Sequence, residues 1–271
     1  MADLTPAPQR CPLPRPSRWT GLTTGVVMCF LVVGCGGPLG HRSTAQFDGE
    51  LAIPDGIAKL RVEVPTGTVG VVPGEGRTIR YQGGVRRAAD SAASLANLEA
   101  IALQFAAAPD PADPTLLVVR APGIPAGQPP GVFGLEVGLF VPAGLPLEVV
   151  VAGNGHVTMA DRAAPTKVRT NRGDLRFERC KADVAARTGT GNVIAFDQVG
   201  DVDLETGLGD MQVFVEKPAR RITLVTGQGT VQCHVPDTCG FVVDAVASVG
   251  KIGNGFGLEV EQKGYSGALR G

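Results

Sequence analysis

The residues of this chain whose types could carry chemistry are its cysteines, its histidines and a set of acids and amides that follow glycine. The thiols are Cys11, Cys29, Cys35, Cys180, Cys233 and Cys239. They lack zinc-finger spacing, which would be two Cys pairs at short intervals. His41, His156 and His234 do not share a phase in the pattern described below. No Ser/His/Asp, paired-carboxylate or metal arrangement follows from spacing. Gly-x-Gly occurs at 189–191, 207–209 and 227–229. One such element ahead of a helix could cradle a phosphate, but each copy here leads into a strand pattern and reads as a turn. Arg172-Gly173-Asp174 spells the integrin-recognition tripeptide. Gly173 is a repeat turn and Asp174 the usual residue after it, so register explains the match. Asp174, Asn192 and Asp210 share one phase just after the turn. Aligned oxygens there could bind calcium, and the same residue types also tolerate turn conformations. The expectation is no catalytic residue, no cofactor and no metal.

Cys35 is different, because of what precedes it. Residues 1–18 hold Arg10, Arg15 and Arg18, with Asp3 the one acid. The stretch from Gly21 to Val33 carries no charge. A positive segment followed by a short apolar one reads as an export signal, and the run is shorter than the roughly 20 residues a transmembrane helix needs. It ends in Val32-Val33-Gly34-Cys35, which resembles the bacterial lipobox. That resemblance implies cleavage before Cys35, a diacylglycerol thioether on its sulfur, and acylation of the new amino terminus. Several acyl chains on one residue anchor stably where one would not. Residues 36–50, rich in Gly, Pro, Ser, Thr and Gln, read as a flexible tether. Cys11 and Cys29 would leave with the signal. In an oxidising compartment Cys233 and Cys239 could pair, or all the remaining thiols could stay free and buried.

These residues must be held by a fold, and the second half of the chain shows which. Glycines recur at 155, 173, 191, 209, 229 and 250, at intervals of 18, 18, 18, 20 and 21. Two residues after each stands Val157, Leu175, Val193, Met211, Val231 or Ile252. Three residues before the glycine stands Thr170, Thr188, Thr206 or Thr226 in four of the six copies. Val202-Asp203-Leu204-Glu205-Thr206 alternates apolar and polar side chains, the mark of a half-buried strand. Each copy is then strand, glycine turn, strand, turn. A unit this short cannot bury its own apolar face, but copies stacked at ~4.8 Å can. The expected fold is all-β: a single β-solenoid of about 18-residue rungs. Outward positions differ from rung to rung, so the inside obeys packing and the outside is free. Threonine at the turn can hydrogen-bond a neighbouring rung.

The part before the repeats is less regular. Leu60–Val64, Thr66–Val71, Thr78–Gln82, Leu116–Val119 and Leu135–Val141 read as strands, and Ile101, Leu103 and Phe105 alternate. Ala88–Leu98, without Gly or Pro, predicts a short helix that would shield an exposed strand edge. The expected organisation is a signal over 1–34, a lipidated Cys35 and tether over 35–54, the solenoid over 55–262, and a tail over 263–271. Within the solenoid, 55–145 is the irregular first part and 146–262 the regular repeats. The chain holds 25 basic and 26 acidic residues, which gives no electrostatic footprint for nucleic acid.

Gly67-Thr68-Val69, Gly173-Asp174-Leu175, Gly191-Asn192-Val193, Gly200-Asp201-Val202 and Gly209-Asp210-Met211 resemble the bacterial family of putative adhesin domains, much of it of unknown function. The likeness covers about residues 55–260. It implies a Gly-x-Val strand, a helical insert and then Gly-Asp-Val rungs, with surface adhesion or envelope association and no catalytic residues. The rung length is also similar to that of bactofilins, which are cytoplasmic polymer formers. The expected protein is a non-catalytic lipoprotein of the bacterial cell envelope, held by its lipid in the outer membrane where one exists and otherwise in the cell membrane. Its partner would be an envelope or extracellular protein or a polysaccharide. The alternatives are a polysaccharide-acting β-helix enzyme, which would line a groove with clustered carboxylates, Lys, Arg and aromatics, and a self-assembling envelope scaffold.

Overall fold

Alternation of buried and exposed residues recurs through most of the described strands between residues 41 and 234. The computed structural model describes residues 40–125, 131–217, 221–236, 243–249, 252–254, 261–263 and 266–270, the backbone alone from 243 onward. The first part runs β1 (His41–Ala52), β2 (Lys59–Val64), β3 (Gly67–Gly74), β4 (Thr78–Ala89), α1 (Ala92–Glu99), β5 (Ala106–Pro109), β6 (Leu116–Arg120) and β7 (Val132–Pro142). Two-strand units follow: β8 (Leu147–Asn154) with β9 (Val157–Ala160), β10 (Thr166–Arg172) with β11 (Leu175–Glu178), and β12 (Val184–Thr190) with β13 (Val193–Gln198). Next come β14 (Val202–Leu208) with β15 (Met211–Val215), β16 (Ile222–Gln228) with β17 (Val231–His234), and β18 (Val243–Val249) with β19 (Ile252–Asn254). The described chain ends on β20 (Glu261–Lys263) and β21 (Ser266–Arg270).

Among the described residues everything regular except α1 is strand, and the strands form two open, mixed sheets. Sheet A runs β1-β4-β7-β3-β9-β11-β13-β15-β17-β19, and sheet B runs β20-β21-β18-β16-β14-β12-β10-β8-β2-β6-β5. Each two-strand unit gives its first strand to sheet B and its second to sheet A, and successive units pair in parallel. Equivalent repeat positions face each other: Ala186 pairs with Val168 and Leu204, and Leu204 with Leu224. The first Gly-x-Val unit, β2–β3, stacks on β8–β9 although four strands and the helix intervene in sequence. Antiparallel strands finish the ends: β4 and β1 on sheet A, β5 and then β21–β20 on sheet B.

The inward residues form the core. Val149, Val168, Ala186, Leu204 and Leu224 are all 1 % exposed or less, as are Val157, Leu175, Val193, Met211 and Val231 from the other sheet. Burying each Val, Leu or Met side chain contributes about 1.5–3 kcal/mol. The glycine column is what lets the turns stack. Gly173, Gly191, Gly209 and Gly229 sit at φ 143, 148, 150 and 151°, a region that side chains strain to enter. A Cβ at Gly191 would also fall on the carbonyl oxygen of Gly173. Those carbonyls accept the buried threonine hydroxyls: Thr188 donates to Gly173 O at 3.1 Å, Thr206 to Gly191 O at 2.9 Å and Thr226 to Gly209 O at 3.1 Å. The expected threonine bond between rungs is present.

Several expectations change. Most of the expected tether is β1, paired with β4 along its whole length, so the fold begins near residue 41 rather than 55. Its inward side chains include Ser43, Ala45 and Gly49, small or polar enough to make the alternation read as linker composition. The expected tail holds β21, antiparallel to β18. The helix starts later, at Ala92, because β4 continues to Ala89. Ser91 caps it, its hydroxyl accepting the Ser94 N–H at 3.1 Å. Ile101–Phe105 is not strand; Phe105 is buried against Phe47 and Tyr81, its ring 6.2 and 4.5 Å from theirs.

Candidate interaction surface

The outward face of sheet B repeats in position but not in residue. One outward column reads Arg61, Glu148, Lys167, Ala185, Asp203, Thr223 and the next Glu63, Val150, Arg169, Arg187, Glu205, Val225. Opposite charges meet across strands: Arg61 Nε–Glu148 at 2.8 Å, Arg120 Nε–Glu63 at 2.9 Å and Arg187 Nε–Glu205 at 3.1 Å. The hydrogen bond to Glu148 comes first in raising the Arg61 pKa above its ordinary value. A pair as exposed as Arg187–Glu205 adds little to stability, so a partner can replace either member there at small cost. A groove of about 700 Å³ runs along the first column, from Lys59 and Arg61 to Asp203 and Arg221. Ala185 is the smallest residue in that column and lines the groove. This open, charge-alternating trough can take polar groups by hydrogen bonding.

The outward face of sheet A carries aromatic rings. Phe196 and Phe214 stack with centroids 4.9 Å apart, Phe214 and His234 at 4.4 Å, and the Arg176 guanidinium lies 5.1 Å from the Phe196 centroid. Their spacing of 18 and 20 residues repeats the glycine intervals, a signal the sequence held but that the glycines overshadowed.

The turn acids form a ladder of their own. His156 Nδ1 accepts the Asp174 N–H at 3.1 Å, Asp174 Oδ1 the Asn192 N–H at 2.8 Å, Asn192 Oδ1 the Asp210 N–H at 2.8 Å, and Asp210 Oδ1 the Thr230 N–H at 2.7 Å. These oxygens satisfy the backbone of the next turn, which gives the column a structural reason beyond turn tolerance. Arg172 ends β10, Gly173 is the turn, and Asp174 is engaged in this ladder, so the tripeptide is part of the stack. Among the described residues no group of three His, Cys, Asp or Glu is placed to hold a metal ion.

Two arginines escaped the sequence reading, one buried and one exposed. Arg162 is 0 % exposed; its guanidinium donates to Val141 O at 3.2 Å, Pro142 O at 2.9 Å and Leu145 O, tying the β7–β8 connection to the rungs. Burial pulls its pKa down to about 10, so it stays charged at neutral pH. Arg179 grips Asp161 through Nε at 2.7 Å and a second nitrogen at 2.8 Å, which holds the Asp161 carboxyl below its usual range. Nothing in a lone Arg marks it as buried before the fold is known. Of the cysteines, Cys180 and Cys233 are buried free thiols, and burial pushes Cys233 up to about 12. Cys35 and Cys239 lie outside the described residues, so the lipid site and the Cys233–Cys239 pair are not placed.

No family model matches the chain, and no curated protein matches it. Two solved structures are similar. One is a "putative cell adhesion protein" from Clostridium sporogenes, 12 % identical, covering 78 % of this chain and 99 % of that one at a TM-score of 0.33. The other is a "putative lipid binding protein" from Parabacteroides distasonis, 13 % identical, covering 79 % of each chain at the same TM-score of 0.33. Likenesses of that size transfer no role to this chain, whose all-β, two-sheet fold rests on its own strands.

Proposed function

We propose that the chain is a bacterial envelope lipoprotein, anchored by a lipid on Cys35, whose two sheets form a β-solenoid that displays its outer faces to an envelope or extracellular partner without catalysing a reaction. The observation that carries the display reading is the contrast between faces. The inward columns stay apolar from rung to rung, while Arg61, Glu148, Lys167, Ala185, Asp203 and Thr223 follow one another at a single outward position. A solenoid suits such a role because its long faces accept varied side chains without disturbing the core. The alternation of each unit between sheet B and sheet A supports the solenoid reading. The Val32-Val33-Gly34-Cys35 run supports the anchor. The partner fits a protein or polysaccharide presenting polar groups to the charge-alternating groove.

The test is fatty-acid labelling with fractionation of the producing cell, comparing wild type with Cys35→Ala. Label and membrane retention in wild type, both lost in the variant, are the expected result. An unlabelled, cytoplasmic wild-type protein would overturn the anchor and bring the scaffold alternative forward.

A further inference from the structure

Sheets A and B have four edges among the described residues, and they are unequal. β19 and β20 are three residues long, and β5 is four residues ending in Pro109. Short strands and proline are the ordinary protections against unwanted strand pairing. β1 is twelve residues long, contains no Pro and no Lys, and pairs with β4 without a bulge. Its inward positions from Ser43 to Leu51 carry no charge. An edge so long, with no proline, lysine or bulge, is a template for another strand whose charges complement Arg42, Asp48 and Glu50.

We infer that β1 is a dimer interface, pairing antiparallel with β1 of a second copy of this chain. The sequence of the strand chooses the register. If Gln46 stands opposite its own copy, Arg42 stands opposite Glu50 and Thr44 opposite Asp48, each twice by symmetry. All of these are on the exposed side of the strand. On the other side Ala45 meets Phe47, and Phe47 already closes an aromatic cluster with Tyr81 at 6.3 Å and Phe105 at 6.2 Å between centroids. The interface is isologous and closes at two copies. It joins the two A sheets through about ten backbone hydrogen bonds, the usual density of an antiparallel ladder. Opposite charges directly across a strand pair stabilise it and like charges destabilise it. The inference does not depend on the lipid.

The experiment uses the full chain, in detergent. Sedimentation is expected to show a dimer for wild type. Arg42→Glu and Glu50→Arg alone each set like charges opposite one another twice, and each should weaken the dimer roughly tenfold. Mixing the two variants sets an acid opposite a base at both contacts again, and should restore dimer as mixed pairs. That rescue cannot come from a variant that merely misfolds. Gln46→Cys should form a disulfide-linked dimer on oxidation, because directly opposed strand residues lie within disulfide reach; Arg187→Cys, on sheet B, should not. A monomeric wild type, mixed variants that stay apart, or equal crosslinking at both positions would each overturn the inference.

Discussion

Cys233 points inward from β17 at 4 % exposure, and burial pushes its thiol up to about 12. Because the folded value lies above the unfolded one, the folded protein keeps its proton where the unfolded chain gives it up. That stability is whole below the ordinary thiol value and is lost as pH rises toward about 12. Urea midpoints for wild type should therefore fall further between about pH 8 and about pH 11 than those of Cys233→Ala. Equal slopes would show that the thiol titrates freely. The same burial keeps Cys233 from alkylating reagents until the chain unfolds, since the thiolate is the reacting species. From the sequence, Cys233 could either pair with Cys239 or stay a free, buried thiol, and the raised pKa could not be read there.

At the scale of elements, one turn serves two neighbours. Gly191 holds a positive φ, has no room for a Cβ beside Gly173 O, and offers its own carbonyl to Thr206. Gly191→Ala should cost at least about 2 kcal/mol from backbone strain alone. Arg187→Ala, on the outward face and tied only to exposed Glu205, should cost under about 1 kcal/mol. Thermal unfolding of the two variants checks the contrast, and comparable losses would contradict a periodic interior with a permissive exterior. The repeats were legible because glycine, threonine and the inward aliphatics recur at a fixed phase. β1 was not, because Ser43, Ala45 and Gly49 alternate with polar residues without looking apolar. The aromatic stack was overlooked although Phe196, Phe214 and His234 repeat at the glycine intervals, because the glycine and aliphatic columns dominate the pattern. Arg162 was hidden for another reason: its partners are backbone carbonyls of Val141, Pro142 and Leu145, which no residue type announces.

For the whole molecule, the proposed lipid on Cys35, if present, would tether a two-sheet β structure to a bilayer by a short segment. His41 follows Cys35 by six residues, a span of at most about 20 Å when fully extended. With β1 ordered from His41, a lipid on Cys35 would leave little slack, and the outer faces would work near the membrane surface. Everything in that picture depends on processing before Cys35. The most direct measurement is the mass of the amino-terminal peptide of the protein isolated from its producing cell. The account predicts a peptide that begins at Cys35 and carries a thioether-linked diacylglycerol and an amide-linked acyl chain. An amino-terminal peptide with Cys35 unmodified and residues before it still attached would contradict the account.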